Sequence, residues 1–163
     1  PNVLRLLIGE GQVAAGTAGQ TDQIVLIETN LDDTPGEQIG YCVEQLWKAG
    51  ALDVSLVSLG MKKGRPGVLL AVQATPEMAA ELELIVFRET TTLGVRRQTI
   101  DRHVLPRTRI TLETPLGKVE GIVATLPDGT QRFSPEYESC RGVAERTGHP
   151  LSEVYAAARQ QYS

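Results

Sequence analysis

Short β-branched runs alternate along this chain with longer stretches of helical period. Ile24-Val25-Leu26-Ile27-Glu28-Thr29-Asn30 is compact and ends in turn formers, the pattern of a buried strand. Thr34-Pro35-Gly36-Glu37 follows, with a capping hydroxyl, a proline at the first helical position and a glutamate three residues after the cap, so a helix is predicted next. Ile39, Val43 and Leu46, with Cys42 beside them, recur at spacings of four and three and give one apolar stripe ending before Gly50. Leu52 to Leu59 then alternates, and Val68 to Val72 is almost continuously apolar. The stretch between them, Gly60 to Gly67, is too short for a crossover helix, so these two strands are predicted to be antiparallel neighbours. Thr75-Pro76-Glu77 repeats the cap-then-proline device. Met78, Leu82, Ile85 and Val86 supply the inner face of the second helix up to about Arg88, and Leu93 to Ile100 resumes an extended pattern.

The order strand, helix, strand, strand, helix, strand predicts an α+β fold of the ferredoxin-like βαββαβ kind, an antiparallel sheet with two helices on one face, over residues 24–105. Residues 1–23, apolar from Val3 to Ile8 and then rich in Gly, Ala, Gln and Thr, read as an N-terminal tail and linker. Residues 106–163 read as a small C-terminal αβ subdomain. Its predicted parts are a β-hairpin from Arg107–Glu113 and Lys118–Leu126, a turn at Asp128-Gly129, a helix from Ser134-Pro135-Glu136 towards Gly148, and a last helix over Leu151–Gln161. A piece this small holds little core alone, so it is expected to dock on the first domain.

Composition narrows the function classes. The chain has 163 residues, 41% of them hydrophobic, and a formal charge of -4, which suits a globular protein with a buried core and disfavours bulk nucleic-acid binding. Two Phe, four Tyr and one Trp leave little for a base-stacking platform. No apolar run approaches the length of about 18 residues that a membrane span needs, and no signal peptide is visible, so the expected address is the cytoplasm. The first residue is Pro1 and the chain begins mid-pattern, so it reads as a fragment of a longer protein. Cys42 and Cys140 lie far apart with no CxxC spacing, and each reads as a small buried residue.

Charge distribution says more than its total. Lys62 to Arg109 carries nine Lys or Arg against five acids while the remainder is strongly acidic, an asymmetry that suits a site for a small anion. The sharpest feature inside that window is Gly60-Met61-Lys62-Lys63-Gly64-Arg65-Pro66-Gly67. Its glycines let the backbone approach a ligand, and three cations within four residues make phosphate the natural guest, against the plainer reading of a basic hairpin tip. Glu28, Asp32 and Asp33, with Asn30, group hard oxygen ligands where the first strand runs into a helix, suited to Mg²⁺ or Mn²⁺ on a polyphosphate; capping and turn formation explain the same residues more plainly. Thr91 and Arg96 sit in Glu89-Thr90-Thr91-Thr92-Leu93-Gly94-Val95-Arg96-Arg97, where a hydroxyl and a guanidinium can clamp phosphate oxygens. Adjacent Arg96 and Arg97 must face opposite sides of a strand, so only one serves a given ligand. Arg102, His103, Arg107 and Arg109 extend the basic strip. No GxSxG, HExxH or paired Cys and His appears, which disfavours hydrolysis through a covalent nucleophile.

Glu28-Thr29-Asn30-Leu31-Asp32-Asp33, Ala49-Gly50-Ala51-Leu52-Asp53-Val54, Met61-Lys62-Lys63-Gly64-Arg65-Pro66-Gly67, Glu89 to Arg96 and Pro135-Glu136-Tyr137-Glu138 together resemble, in order and spacing, the C-terminal half of the nickel insertion proteins of nickel-pincer nucleotide cofactor synthesis, the LarC family. The resemblance implies a CTP-dependent nickel chelatase, a lyase-class cyclometallase, that inserts nickel into pyridinium-3,5-bisthiocarboxylic acid mononucleotide to make the cofactor of lactate racemase. It implies CTP with Mg²⁺ or Mn²⁺ bound by this portion, with Lys62, Lys63, Gly64, Arg65, Thr91 and Arg96 on the nucleotide and Glu28, Asp32 or Asp33 at the metal. It further implies a missing N-terminal domain carrying a His-rich nickel region, and a homo-oligomer as the assembled state. The rival reading is a non-catalytic ferredoxin-like oligomerisation module of the parent protein. A one-step phosphatase or nucleotidyl transferase is a second alternative.

Overall fold

The computed structural model describes residues 20–162. The expected tail over residues 1–19 lies outside the described residues, whereas residues 20–23, expected as linker, belong to the first strand. The chain divides into two compact units, Thr21–Val104 and a second built on Leu105 onwards.

In the first unit the elements run β1 (Gln20–Leu31), α1 (Gly36–Lys48), β2 (Asp53–Gly60), β3 (Pro66–Ala74), α2 (Ala79–Glu89) and β4 (Arg96–Val104), with a single 3₁₀ turn at Lys62–Gly64. The strands form one sheet in the order β2-β3-β1-β4, and β3 is antiparallel to both β1 and β2. Register fixes the faces. Val25, Ile27 and Leu31 lie opposite Ala74, Val72 and Val68, and this side is covered by Ile39, Cys42 and Leu46 of α1 and Leu82, Ile85 and Val86 of α2. Both helices therefore lie on one face. The other face carries Leu26, Glu28 and Asn30, opposite Gln73, Ala71 and Leu69.

Two helix starts differ from expectation. Thr34 makes no capping bond to α1, whose N-cap is Pro35, because its hydroxyl is engaged by Thr91. A cap is worth about 1 kcal/mol and a fully buried Leu about 1.5–3 kcal/mol, so the burial of Leu46 and Cys42 holds this helix without one. Residues 76–78 form a turn before α2 begins at Ala79; the Thr75 hydroxyl is spent on Glu77, whose carboxyl it holds below the usual range. The fourth strand also starts later than expected, at Arg96.

The second unit contains β5 (Arg107–Thr114), β6 (Gly117–Thr125), β7 (Gln131–Pro135), α3 (Tyr137–Thr147) and α4 (Leu151–Tyr162). Its strands form an antiparallel meander in the order β5-β6-β7. The hairpin and α4 match the sequence reading, and α3 forms where a helix was expected but with a later start. β7 was not expected, and it moves the start of α3 from Ser134 to Tyr137. Val119 packs with Cys140, Val143, Val154 and Ala158 in a small core of its own. Gly148, at φ +73, ends α3 in the left-handed turn that its sequence position suggests.

Candidate functional site

Antiparallel pairing brings distant parts of the sequence to one end of the first sheet. Leu31 opposite Val68 and Gly60 opposite Pro66 place the end of β1, the β2–β3 loop and the start of β3 together. The segment joining α2 to β4 returns to the same end. Asp32, Asp33 and Thr34 leave β1, Lys62 to Arg65 form the loop, and Thr90 to Val95 supply the third wall.

Side chains tie these segments together. Arg65 Nη1 donates to Asp32 Oδ2 at 3.3 Å. The Thr91 hydroxyl donates to Asp33 Oδ1, and the Thr91 backbone N–H donates to Thr34 Oγ1 at 3.2 Å. Deeper in, Thr29, 2% exposed, places its hydroxyl 2.6 Å from that of Thr92 and 3.0 Å from the Gly94 carbonyl. A buried hydroxyl on a core strand is costly unless bonded, so Thr29 anchors the loop that presents Thr91. Arg96 lies over the open sheet face, with Nη2 donating to Asn30 Oδ1 at 2.9 Å and Nε 3.6 Å from Glu28 Oε2. Arg97 turns the other way, to Glu83 of α2 at 3.4 Å, as strand alternation requires.

The β2–β3 loop is tight. The Met61 N–H donates to the Arg65 carbonyl at 2.8 Å, and Lys63 and Gly64 both take positive φ, +62 and +69. Gly67 lies close under Met61: an added Cβ would stand 2.5 Å from Sδ and 3.0 Å from the Leu31 carbonyl, so a side chain here would have to displace Met61 and crowd the end of β1. Lys62 and Lys63 are exposed and take part in no ion pair among the described residues. Two unpaired ammonium groups thus stand beside Arg65, an arrangement suited to several negative oxygens at once.

The three expected metal carboxylates do not converge into one cluster. Asp32 faces Arg65, Asp33 faces Thr91 and Glu28 faces Arg96, and no group of three His, Cys, Asp or Glu among the described residues is placed to hold a metal ion. A cation carried in on phosphate needs only one or two carboxylates from the protein. Arg102 lies elsewhere: its guanidinium grips Asp22 at the beginning of β1, with bonds of 3.0 and 2.6 Å.

A cleft of about 330 Å³ adjoins this end of the sheet, lined by Gln38 and Tyr41 of α1, Arg88 and Glu89 of α2, and Thr90 and Thr91. Thr91 belongs to both cleft and loop cluster. Gln38 and Tyr41 went unremarked in the sequence; their one signal is a spacing of three on the side of α1 away from the Ile39, Cys42 and Leu46 stripe. In the core that α1 covers, burial first and the nearby Glu89 charge second push the Cys42 thiol up to about 11, so it stays protonated.

A profile of the family described as "Nickel insertion protein" matches residues 1–155. Similar chains include a nickel insertion protein of Dictyoglomus thermophilum, 44% identical across 94% of this chain and 39% of its own length. Another is the pyridinium-3,5-bisthiocarboxylic acid mononucleotide nickel insertion protein of Desulfitobacterium hafniense strain Y51, 39% identical across 99% of this chain and 40% of its own. The chain thus spans about two fifths of the length of these relatives. Among solved structures, the apo form of LarC2, the C-terminal domain of a cyclometallase involved in the synthesis of the NPN cofactor of lactate racemase, matches at a TM-score of 0.82 and 39% identity, covering 88% of this chain and 99% of that one. Protein MK0293 of Methanopyrus kandleri matches at a TM-score of 0.63 and 26% identity, over 83% of this chain and 86% of that one. The chain belongs to the nickel insertion protein family and corresponds to its LarC C-terminal domain.

Proposed function

We propose that this chain is the nucleotide-binding part of a CTP-dependent nickel chelatase, with nickel and pyridinium-3,5-bisthiocarboxylic acid mononucleotide as the substrates of the complete protein. The observation that carries this reading is the meeting of three loops at one sheet end, where Lys62, Lys63 and Arg65 stand beside Asp32, Asp33 and Thr91. In this reading Lys62, Lys63 and the Gly64 backbone cradle the triphosphate. Arg65 exchanges Asp32 for a phosphate oxygen, releasing that carboxylate to a Mg²⁺ or Mn²⁺ on the nucleotide. Arg96, fixed by Glu28 and Asn30, adds a clamp, and Thr91 donates its hydroxyl. The adjoining cleft takes ribose and base, with the half-exposed Tyr41 ring as a stacking surface and Gln38 as a hydrogen-bonding partner for the base edge. Preset cations spread charge away from the phosphates in any transfer at the nucleotide. Cytidine rather than another nucleoside is carried by family likeness.

The finer fold reading belongs to the same proposal: the strand order β2-β3-β1-β4, with both helices on one face, supports a ferredoxin-like unit. So do the expected settings, a cytoplasmic homo-oligomer completed by an N-terminal domain. Among the described residues no helix is long and apolar enough to cross a membrane.

One observation favours the rival module. β2 is a sheet edge and exposes Leu56 and Val57, each 49% accessible, as an assembly strand would. Thermal melts separate the two readings. CTP with Mn²⁺ is expected to raise the melting temperature by several degrees, more than ATP with Mn²⁺ and more than Mn²⁺ alone, because a ligand that binds only the folded state stabilises it. No shift with any nucleotide would leave the assembly module standing.

A further inference from the structure

A second concentration of arginine lies in the unit that the nucleotide reading does not use. In the β5-β6-β7 sheet, Val119 and Val123 point to the helical core, so Ile122 and Ala124 face the other way. Register places Arg107 and Arg132 on either side of Ala124, and Arg109 and Ser134 on either side of Ile122. Three guanidinium groups therefore rise from one face around two apolar floor residues, the larger Ile122 and the short Ala124. Strand spacing puts the Arg107 and Arg132 backbones about 10 Å apart, with Arg109 about 7 Å along from Arg107, within converging reach of long side chains. A cleft of about 260 Å³ lined by Arg107, Arg109 and Ile122 opens on the β5–β6 side of this face.

The charges there are incompletely matched. Arg109 Nη2 lies 3.8 Å from Glu136 Oε1, a long contact on a side chain 75% exposed. Arg107 and Arg132 take part in no ion pair among the described residues. Of the other acids on this face, Glu120 lies in the next row, opposite Thr111, and Glu113, one row further on, pairs with Lys118 at 2.9 Å. Like charges grouped this way repel, and the short Ala124 between two of them leaves room where an anion relieves the repulsion. Three forked donors match a dianionic phosphate better than a single carboxylate, which one Arg fork satisfies.

We propose that Arg107, Arg109 and Arg132 form a phosphate-binding site on the open face of the β5-β6-β7 sheet, taking free phosphate or the phosphate end of a small phosphomonoester whose body lies on Ile122. Arg107 and Arg132 hold the oxygens from two sides over Ala124, and Arg109 adds a third contact as it leaves Glu136.

Side-chain NMR of the whole chain, labelled with ¹⁵N arginine, tests this with inorganic phosphate, ribose 5-phosphate and neutral ribose as probes. The expected result is saturable movement of the Arg107 and Arg132 Nε–H signals with both phosphates and none with ribose. The double variant Arg107→Gln with Arg132→Gln is expected to bind at least about tenfold more weakly while melting as the parent does. Tighter binding of ribose 5-phosphate assigns the site to phosphomonoesters, and equal binding assigns it to phosphate itself. Linear drift of all arginine signals alike, or unchanged affinity in the double variant, overturns the proposal. A thermal shift with CTP and Mn²⁺ that survives in the double variant keeps this outcome independent of the nucleotide reading.

Discussion

Lys63 is the one non-glycine residue with positive φ among the described residues, and it sits at the tip of the cation loop. A left-handed L-residue costs about 1–2 kcal/mol, and glycine at the same place avoids that cost while losing some unfolded-state advantage. Lys63→Gly is therefore expected to melt at or slightly above the parent temperature, yet to bind CTP with Mn²⁺ several-fold more weakly by calorimetry. Unchanged affinity would remove Lys63 from the phosphate cradle. Cys42 offers a pH test. Its folded-state value of about 11 exceeds the ordinary 9.0 because burial disfavours the thiolate. Below pH 9.0 both folded and unfolded chains carry the neutral thiol, so nothing is lost; between 9.0 and about 11 only the unfolded chain ionises, and stability falls with rising pH. Denaturant midpoints measured from pH 8 to 10.5 are expected to decline in the parent more than in Cys42→Ala. At this scale the opposite orientations of Arg96 and Arg97 were legible, since alternation alone demands them. The loss of Thr34 as a cap was not, because its competitor, Thr91, is distant in sequence.

At the scale of elements, local periodicity located the helices and most strands, while ends set by distant contacts escaped it. α2 begins late because Thr75 bonds Glu77, a choice between two nearby partners that sequence leaves open. β7 escaped because Gln131-Arg132-Phe133-Ser134-Pro135 has one large apolar residue and no alternation to read. Its pairing depends on Gly121, where an added Cβ would meet the Phe133 ring at 2.2 Å and the Ser134 carbonyl at 2.8 Å. Phe133 in turn stacks on Tyr162 with ring centroids 4.9 Å apart, so it has little freedom to withdraw. Gly121→Ala is expected to destabilise by about 1–3 kcal/mol through overpacking. Shortening the opposing ring in Gly121→Ala with Phe133→Leu should recover part of that loss, which a double-mutant cycle on denaturant midpoints measures. Strict additivity of the two changes would show that the close approach is not what makes glycine necessary.

For the molecule as a whole, the acidic total conceals a basic stretch, and the division into units says how far that stretch can act as one site. The nucleotide candidates Glu28, Asp32, Asp33, Lys62, Lys63, Arg65, Thr91 and Arg96, together with the Tyr41 cleft, all belong to Thr21–Val104, and that unit carries the larger of the two cores. The continuous basic strip read along the sequence is thus split. Arg107 and Arg109 fall in the other unit, and Arg102 is committed to Asp22. A one-dimensional charge count could not reveal this, because register and turn geometry decide which cations share an end. The consequence is testable by truncation. Residues 21–104 expressed alone are expected to melt cooperatively, since β1, β3, α1 and α2 bury one contiguous cluster. They are also expected to bind CTP with Mn²⁺ within about threefold of the parent affinity, under 1 kcal/mol. A fragment that folds by circular dichroism but binds more than about tenfold more weakly would mean that groups beyond residue 104, or a second copy held through them, complete the nucleotide site.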